Sequence, residues 1–98
     1  MRRRGKVDGN HTAVVKALRQ IGAVVQSLAD LGKGVPDLLV GFRGRNHLLE
    51  VKDGALPPSK RALTPDEAKW STAWKGAPVV VVYGPEEAIR TVTGAWEP

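Results

Sequence analysis

The chain has 98 residues, no cysteine, and 15 Lys and Arg against 10 Asp and Glu, for a formal net charge of +5 at pH 7. That length supports one domain with a single modest core, too small for separate catalytic and nucleic-acid-binding domains, and the positive charge suits a polyanionic partner. Without cysteine there are no disulfides, thiolate zinc sites or cysteine nucleophile.

Taken in chain order, residues 1–9 form a basic, glycine-containing lead expected to be flexible, and residues 10–98 are expected to form the single domain. From Asn10 to Ile21 the apolar residues Val14, Ala17, Leu18 and Ile21 recur at spacings of three and four, which predicts an amphipathic helix. Asn10 is expected to cap it and Gly22 to end it. Ala23 to Leu28 is rich enough in β-branched residues for a strand, and Gly32-Lys33-Gly34 gives a flexible approach to a second strand opening at Pro36. Residues 53–61 are a loop by composition. Thr64-Pro65-Asp66-Glu67 spells an N-cap, a proline at the first helical position and acids in the first turn, starting a helix that runs to about Lys75. Trp70 and Trp74 share a face of that helix and are expected to pack on the sheet. Ala77 to Tyr83 is an apolar run of strand length, and Pro85 to Val92 predicts a last short helix. No apolar stretch approaches the roughly 18 residues of a membrane helix, and Met1-Arg2-Arg3-Arg4 leads into no apolar signal region. An intracellular protein is the expectation.

The chemistry concentrates between residues 36 and 52. The apolar runs Pro36-Asp37-Leu38-Leu39-Val40-Gly41-Phe42 and Asn46-His47-Leu48-Leu49-Glu50-Val51-Lys52 flank a turn at Arg43-Gly44. If they form a hairpin closed there, counting outward from the turn sets Asp37 opposite Glu50. Opposed residues of an antiparallel pair point to one face with Cβ atoms about 4.5 to 5.5 Å apart, and the period of two puts Lys52 on Glu50's side. Facing carboxylates repel each other, so a folded chain that holds them there neutralises them, and a divalent cation with oxygen ligands is the natural candidate. The plain alternative is a surface ion cluster of Asp37, Glu50 and Lys52. Against it stand Leu38, Leu39, Val40, Phe42, Leu48, Leu49 and Val51, which make both hairpin faces apolar and predict a sheet covered on both sides. Charges in such strands are costly unless paired or bound to metal.

These residues resemble a known family. Gly34-Val35-Pro36-Asp37-Leu38-Leu39-Val40-Gly41 followed by Leu49-Glu50-Val51-Lys52 is similar to the PD-(D/E)XK nuclease superfamily. The order of first helix, G-x-PD strand, E-V-K strand, L-T-P segment and Trp-bearing helix resembles its VRR-NUC branch over nearly the whole chain. The resemblance implies an α/β fold with a restriction-endonuclease-like αβββαβ core, a mixed central sheet flanked by helices. It implies Asp37 and Glu50 as metal-ligand carboxylates, Val51 as the donor of a main-chain carbonyl to the metal, and Lys52 as the catalytic lysine. The cofactor implied is Mg²⁺ or Mn²⁺, and the activity is hydrolysis of DNA phosphodiesters. Small stand-alone members, often phage-encoded, are associated with cutting branched DNA such as four-way junctions as homodimers, so branched DNA, a homodimer and a bacterial or phage setting are implied as well.

The family usually has a supporting glutamate near the start of its first helix, where this chain has Asn10. An amide can hold a metal-bound water but adds no negative charge, so a single metal, or a contribution from Asp8 or His11, is open at this position. Glu67 stands where the family often has glutamine, and is a second candidate supporting residue. Lys33, Lys60 and Arg61, near the presumed site, are candidates for the phosphate backbone. The expectation is a metal-dependent, structure-selective DNA endonuclease. A nuclease fold that only binds DNA or a partner is the alternative, favoured by Asn10 and opposed by the intact Asp37, Glu50 and Lys52.

Overall fold

The computed structural model describes residues 9–94; the basic lead up to Asp8 and residues 95–98 lie outside the described residues. The elements are α1 (Gly9–Gln20), β1 (Val24–Ser27), a 3₁₀ turn (Ala29–Leu31), β2 (Leu38–Phe42), β3 (Arg45–Val51), a second 3₁₀ turn (Pro58–Lys60), α2 (Pro65–Ala73), β4 (Val80–Val82) and α3 (Pro85–Thr93). The strands form one mixed sheet in the order β1-β2-β3-β4, antiparallel except for the parallel β3–β4 pair, and three helices flank it. None of the described helices is long and apolar enough to cross a membrane.

The hairpin adopts the expected register. Arg43 and Gly44 both have positive φ, 51° and 79°, the signature of a two-residue type I′ turn whose twist matches the flanking strands. Phe42 therefore faces Arg45 and Leu38 faces Leu49. One residue further out, Asp37 stays in the β1 ladder, its carbonyl accepting from the Leu28 N–H at 2.7 Å.

Alternation then sorts the sheet into two unlike faces. Leu38, Val40, Leu49, Val82 and Val25 point to one side and meet Val14 and Leu18 of α1 and Ala88 and Val92 of α3, each helical pair four residues apart. Seven of the ten residues of that core have no exposed surface. Gly22, at φ 95°, closes α1 as expected: its N–H reaches the Arg19 carbonyl and that of Ala23 reaches Leu18, a Schellman arrangement.

The other face carries Asp37, Leu39, Leu48 and Glu50, and only α2 lies over it. Here two expectations fail. The sheet is not fully covered on both sides: Leu39 is 37% and Val24 75% exposed, because nine-residue α2 reaches the β3–β4 half and no described helix covers β1–β2 on this face. Nor do both tryptophans pack on the sheet. They stack on each other, with centroids 4.8 Å apart, and Trp74 stays 46% exposed.

Candidate metal and phosphate site

The site gathers where β2 begins and β3 ends. Asp37 Oδ2 accepts a 2.8 Å bond from the Val51 N–H, so this carboxylate is fixed by the strand beside it and keeps its second oxygen. Glu50, facing Val81 on β4, is 3% exposed and is the buried charged residue of the described chain. Lys52 continues the β3–β4 ladder through its N–H to the Val82 carbonyl at 3.0 Å and turns its ammonium back, 3.6 Å from Glu50 Oε2. The three side chains converge, as the register required.

Glu67 comes in from α2. Thr64 caps that helix in a full capping box: its hydroxyl accepts from the Glu67 N–H at 3.2 Å, and Glu67 Oε1 accepts from the Thr64 N–H at 2.9 Å. The same Oε1 takes a 2.7 Å bond from Lys52 Nζ. Glu67 thus caps its own helix and anchors that helix to the site lysine.

Gly34 permits this approach. Its φ is 84°, and a Cβ there would lie 2.2 Å from the Asp66 carbonyl oxygen, so only glycine lets the first turn of α2 come down beside Pro36 and Asp37. The Gly-Lys-Gly stretch, predicted as a flexible approach, is instead a shaped cradle with Lys33 also at positive φ, 56°.

The electrostatics follow from this crowding. Burial first, then the charges of Asp37 and Glu67 and a hydrogen bond to Glu67, push the Glu50 pKa up to about 9, against the pull of Lys52. Without a cation Glu50 is a neutral acid at pH 7. Burial works against the Lys52 ammonium, yet the bond and charge of Glu67, with Glu50 and Asp37, hold its pKa above the ordinary lysine value. Burial alone would raise Glu67; its bonds with Lys52, Thr64 and Glu50 outweigh that and hold it below the usual carboxylate range.

Among the described residues, no group of three or more His, Cys, Asp or Glu side chains is placed to hold a metal ion. The available donor set is the pair Asp37 and Glu50, and it fits a hard dication of the Mg²⁺ or Mn²⁺ kind, which is commonly held by one or two carboxylates with waters and substrate phosphate. Burial, and then the neighbouring charges of Asp37 and Glu67, disfavour the ionised form of Glu50, and a bound cation would offset both. A cavity of about 40 Å³ lies between Glu50, Glu67 and Trp70. It has room for water but not for a phosphodiester, whereas Asp37 and Lys52 are only half-buried and keep surface open to larger groups.

The remaining predicted residues are distributed as follows. Val51 is half-buried beside Asp37, with its N–H committed to that carboxylate. Asn10 does not cap α1: it lies within the helix, and its amide donates to the carbonyls of Lys52 at 2.8 Å and Tyr83 at 3.2 Å, tying α1 to the ends of β3 and β4. An amide supplies the donors those carbonyls need, which a carboxylate lacks. His11 lines a groove with Arg19 and Ser27 rather than the Glu50 cavity, and Asp8 lies outside the described residues. Lys60 is exposed on its 3₁₀ turn, the Arg61 guanidinium lies 5.3 Å from the centre of the Tyr83 ring, and Lys33 faces a groove beside Trp70. Gly34 and Trp70 were missed as site-forming residues; the glycines before Pro36 were the available signal for the first. Comparison with known proteins gives no match to this chain among family models, curated proteins or solved structures.

Proposed function

We propose that the chain is a divalent-cation-dependent DNA endonuclease with a restriction-endonuclease-like αβββαβ core, of the VRR-NUC kind. The observation that carries the proposal is the convergence of Asp37, Glu50 and Lys52, set by a two-residue turn and reinforced by the Val51 N–H bond to Asp37. On this reading Asp37 and Glu50 hold Mg²⁺ or Mn²⁺, with the Val51 carbonyl as a further ligand. The bound ion supplies Lewis-acid polarisation of the scissile phosphate and a lowered pKa for attacking water. The chain's own residues do the rest. Asp37 is oriented by the Val51 N–H, Glu50 gives up its proton to become a ligand, and Lys52 places a fixed positive charge beside the phosphate as negative charge builds in the transition state. Glu67 positions the Lys52 ammonium, and Asn10 holds the strand end on which Lys52 sits. Branched DNA as substrate, action as a homodimer, and a bacterial or phage cytoplasm belong to this reading through the family resemblance alone.

The test incubates purified protein with labelled four-way junction, flap, linear duplex and single-stranded DNA in Mg²⁺, Mn²⁺ or EDTA, with Asp37→Asn and Lys52→Ala alongside. Cleavage in Mg²⁺ or Mn²⁺ that disappears in EDTA and falls at least a hundredfold in both variants is expected. Variants that cut as well as the parent protein would overturn the assignment. The second reading, a nuclease fold that binds without turnover, draws on the Asn10 amide, whose donors are taken by the Lys52 and Tyr83 carbonyls where the family has a third acid. Tight junction binding with no cleavage in any metal is its outcome.

A further inference from the structure

We infer that α2 carries a recognition surface for unpaired nucleotides beside the proposed cleavage site, built from the Trp70–Trp74 stack and Lys33 and Lys69. The inference rests on the nuclease reading and specifies its substrate: DNA whose strand next to the scissile phosphate has bases out of the duplex.

Three observations lead to it. First, α2 leaves none of its residues fully buried, and the indoles of Trp70 and of the C-cap residue Trp74 lie parallel within 14° with Trp74 46% exposed. Aromatic pairs of this size normally serve a core, where burial repays their area. This pair instead runs outward from half-buried Trp70 to Trp74, which is exposed to solvent. Second, a groove of about 520 Å³ runs along the same helix, lined by Lys33, Asp66, Lys69, Trp70 and Ala73. It joins an aromatic wall to two ammonium groups and one carboxylate, a combination that suits a flat base with phosphates at its edges. Third, Trp70 is a wall of this groove and also of the cavity that holds Glu50 and Glu67. A base against Trp70 is therefore one side chain away from the proposed metal ligands.

The chemistry favours an unpaired strand over a duplex. Bases inside a duplex are stacked on their neighbours and offer a platform nothing, whereas unpaired bases present π-faces to any aromatic surface without regard to sequence. The lysines add backbone attraction that salt weakens. Gly34 makes the surface a unit with the site, since the close approach of its Cα to Asp66 sets Lys33 against the helix that carries Lys69 and Trp70.

The test measures binding in EDTA, where the proposed cleavage is off, by anisotropy of a short fluorescein-labelled oligothymidylate and of a duplex of the same length. Oligothymidylate binds more tightly than duplex and quenches tryptophan fluorescence. Trp74→Ala weakens oligothymidylate binding about tenfold and Trp74→Phe much less. Lys33→Ala with Lys69→Ala, both at exposed positions, lowers the salt slope by about 0.7 per lysine. Equal binding of duplex and oligothymidylate, or Trp74→Ala binding as the parent protein does, would overturn the inference. So would a Trp74→Ala variant that changes only the sedimentation of the protein, which would make the stack a contact between copies. The outcomes separate from those for the nuclease reading: metal-dependent cleavage without preference for unpaired strands removes this inference alone, and Trp74-dependent binding without cleavage removes the nuclease alone.

Discussion

The two faces of the sheet are built to different ends. Against α1 and α3, Leu38, Val40, Leu49 and Val82 are sealed from solvent in an apolar cluster. Against α2, the start of β2 and the end of β3 present Asp37 and Glu50, met by Lys52 and Glu67, and the helix above them leaves none of its own residues fully buried. The first face resists unfolding, while the second gathers like charges at a cost in stability. The difference teaches that α2 is held by few contacts: the Glu67–Lys52 bond and the close approach at Gly34 fix its place, with half-buried Trp70 beside Val79 and Val81.

The largest effect should come from breaking the stable face. Leu49→Ala removes a side chain with no exposed surface and should cost about 3 kcal/mol in urea unfolding, with the slope unchanged. On the other face, Glu50→Gln should make the metal-free protein more stable at pH 8. A carboxyl whose folded pKa of about 9 exceeds its unfolded value of about 4.3 favours folding below the lower value and loses that advantage as pH rises towards 9. The parent protein's melting temperature should therefore fall from pH 5 to 9, and the variant's should fall less; parallel profiles would contradict the proton assignment. Gly34→Ala combines a strained φ with a backbone clash, and should cost about 1 to 3 kcal/mol. Amide exchange in α2 should speed up more than in β2 and β3, because α2 must lift. The smallest effect is expected for Thr64→Ala, about 1 kcal/mol, read as fraying of the first turn of α2 with the α1–α3 core unchanged.

What the sequence disclosed and what it withheld follow the range of the interactions. The hairpin register was legible because Arg43-Gly44 determines it locally, and the start of α2 was legible because cap, proline and acids fall within four residues. The element order was readable from periodicity for the same reason. Asn10 was misread as a cap because its partners, the carbonyls of Lys52 and Tyr83, lie 42 and 73 residues away. Likewise, an apolar Leu39 and a paired Trp70 and Trp74 do not tell whether a helix will cover them; that depends on how far nine-residue α2 reaches across the sheet.

The central claim is that Asp37 and Glu50 share a dication with Lys52 alongside, and calorimetric titration of Mg²⁺ or Mn²⁺ into the protein tests it most directly. Run at several pH values in buffers of different ionisation enthalpy, it should give one site per chain. Close to one proton should be released per ion at pH 7, as Glu50 is converted from acid to ligand, and affinity should rise as pH climbs towards 9. Asp37→Asn should abolish the binding. Absence of saturable binding, or binding that persists in Asp37→Asn with no proton released, would contradict the account.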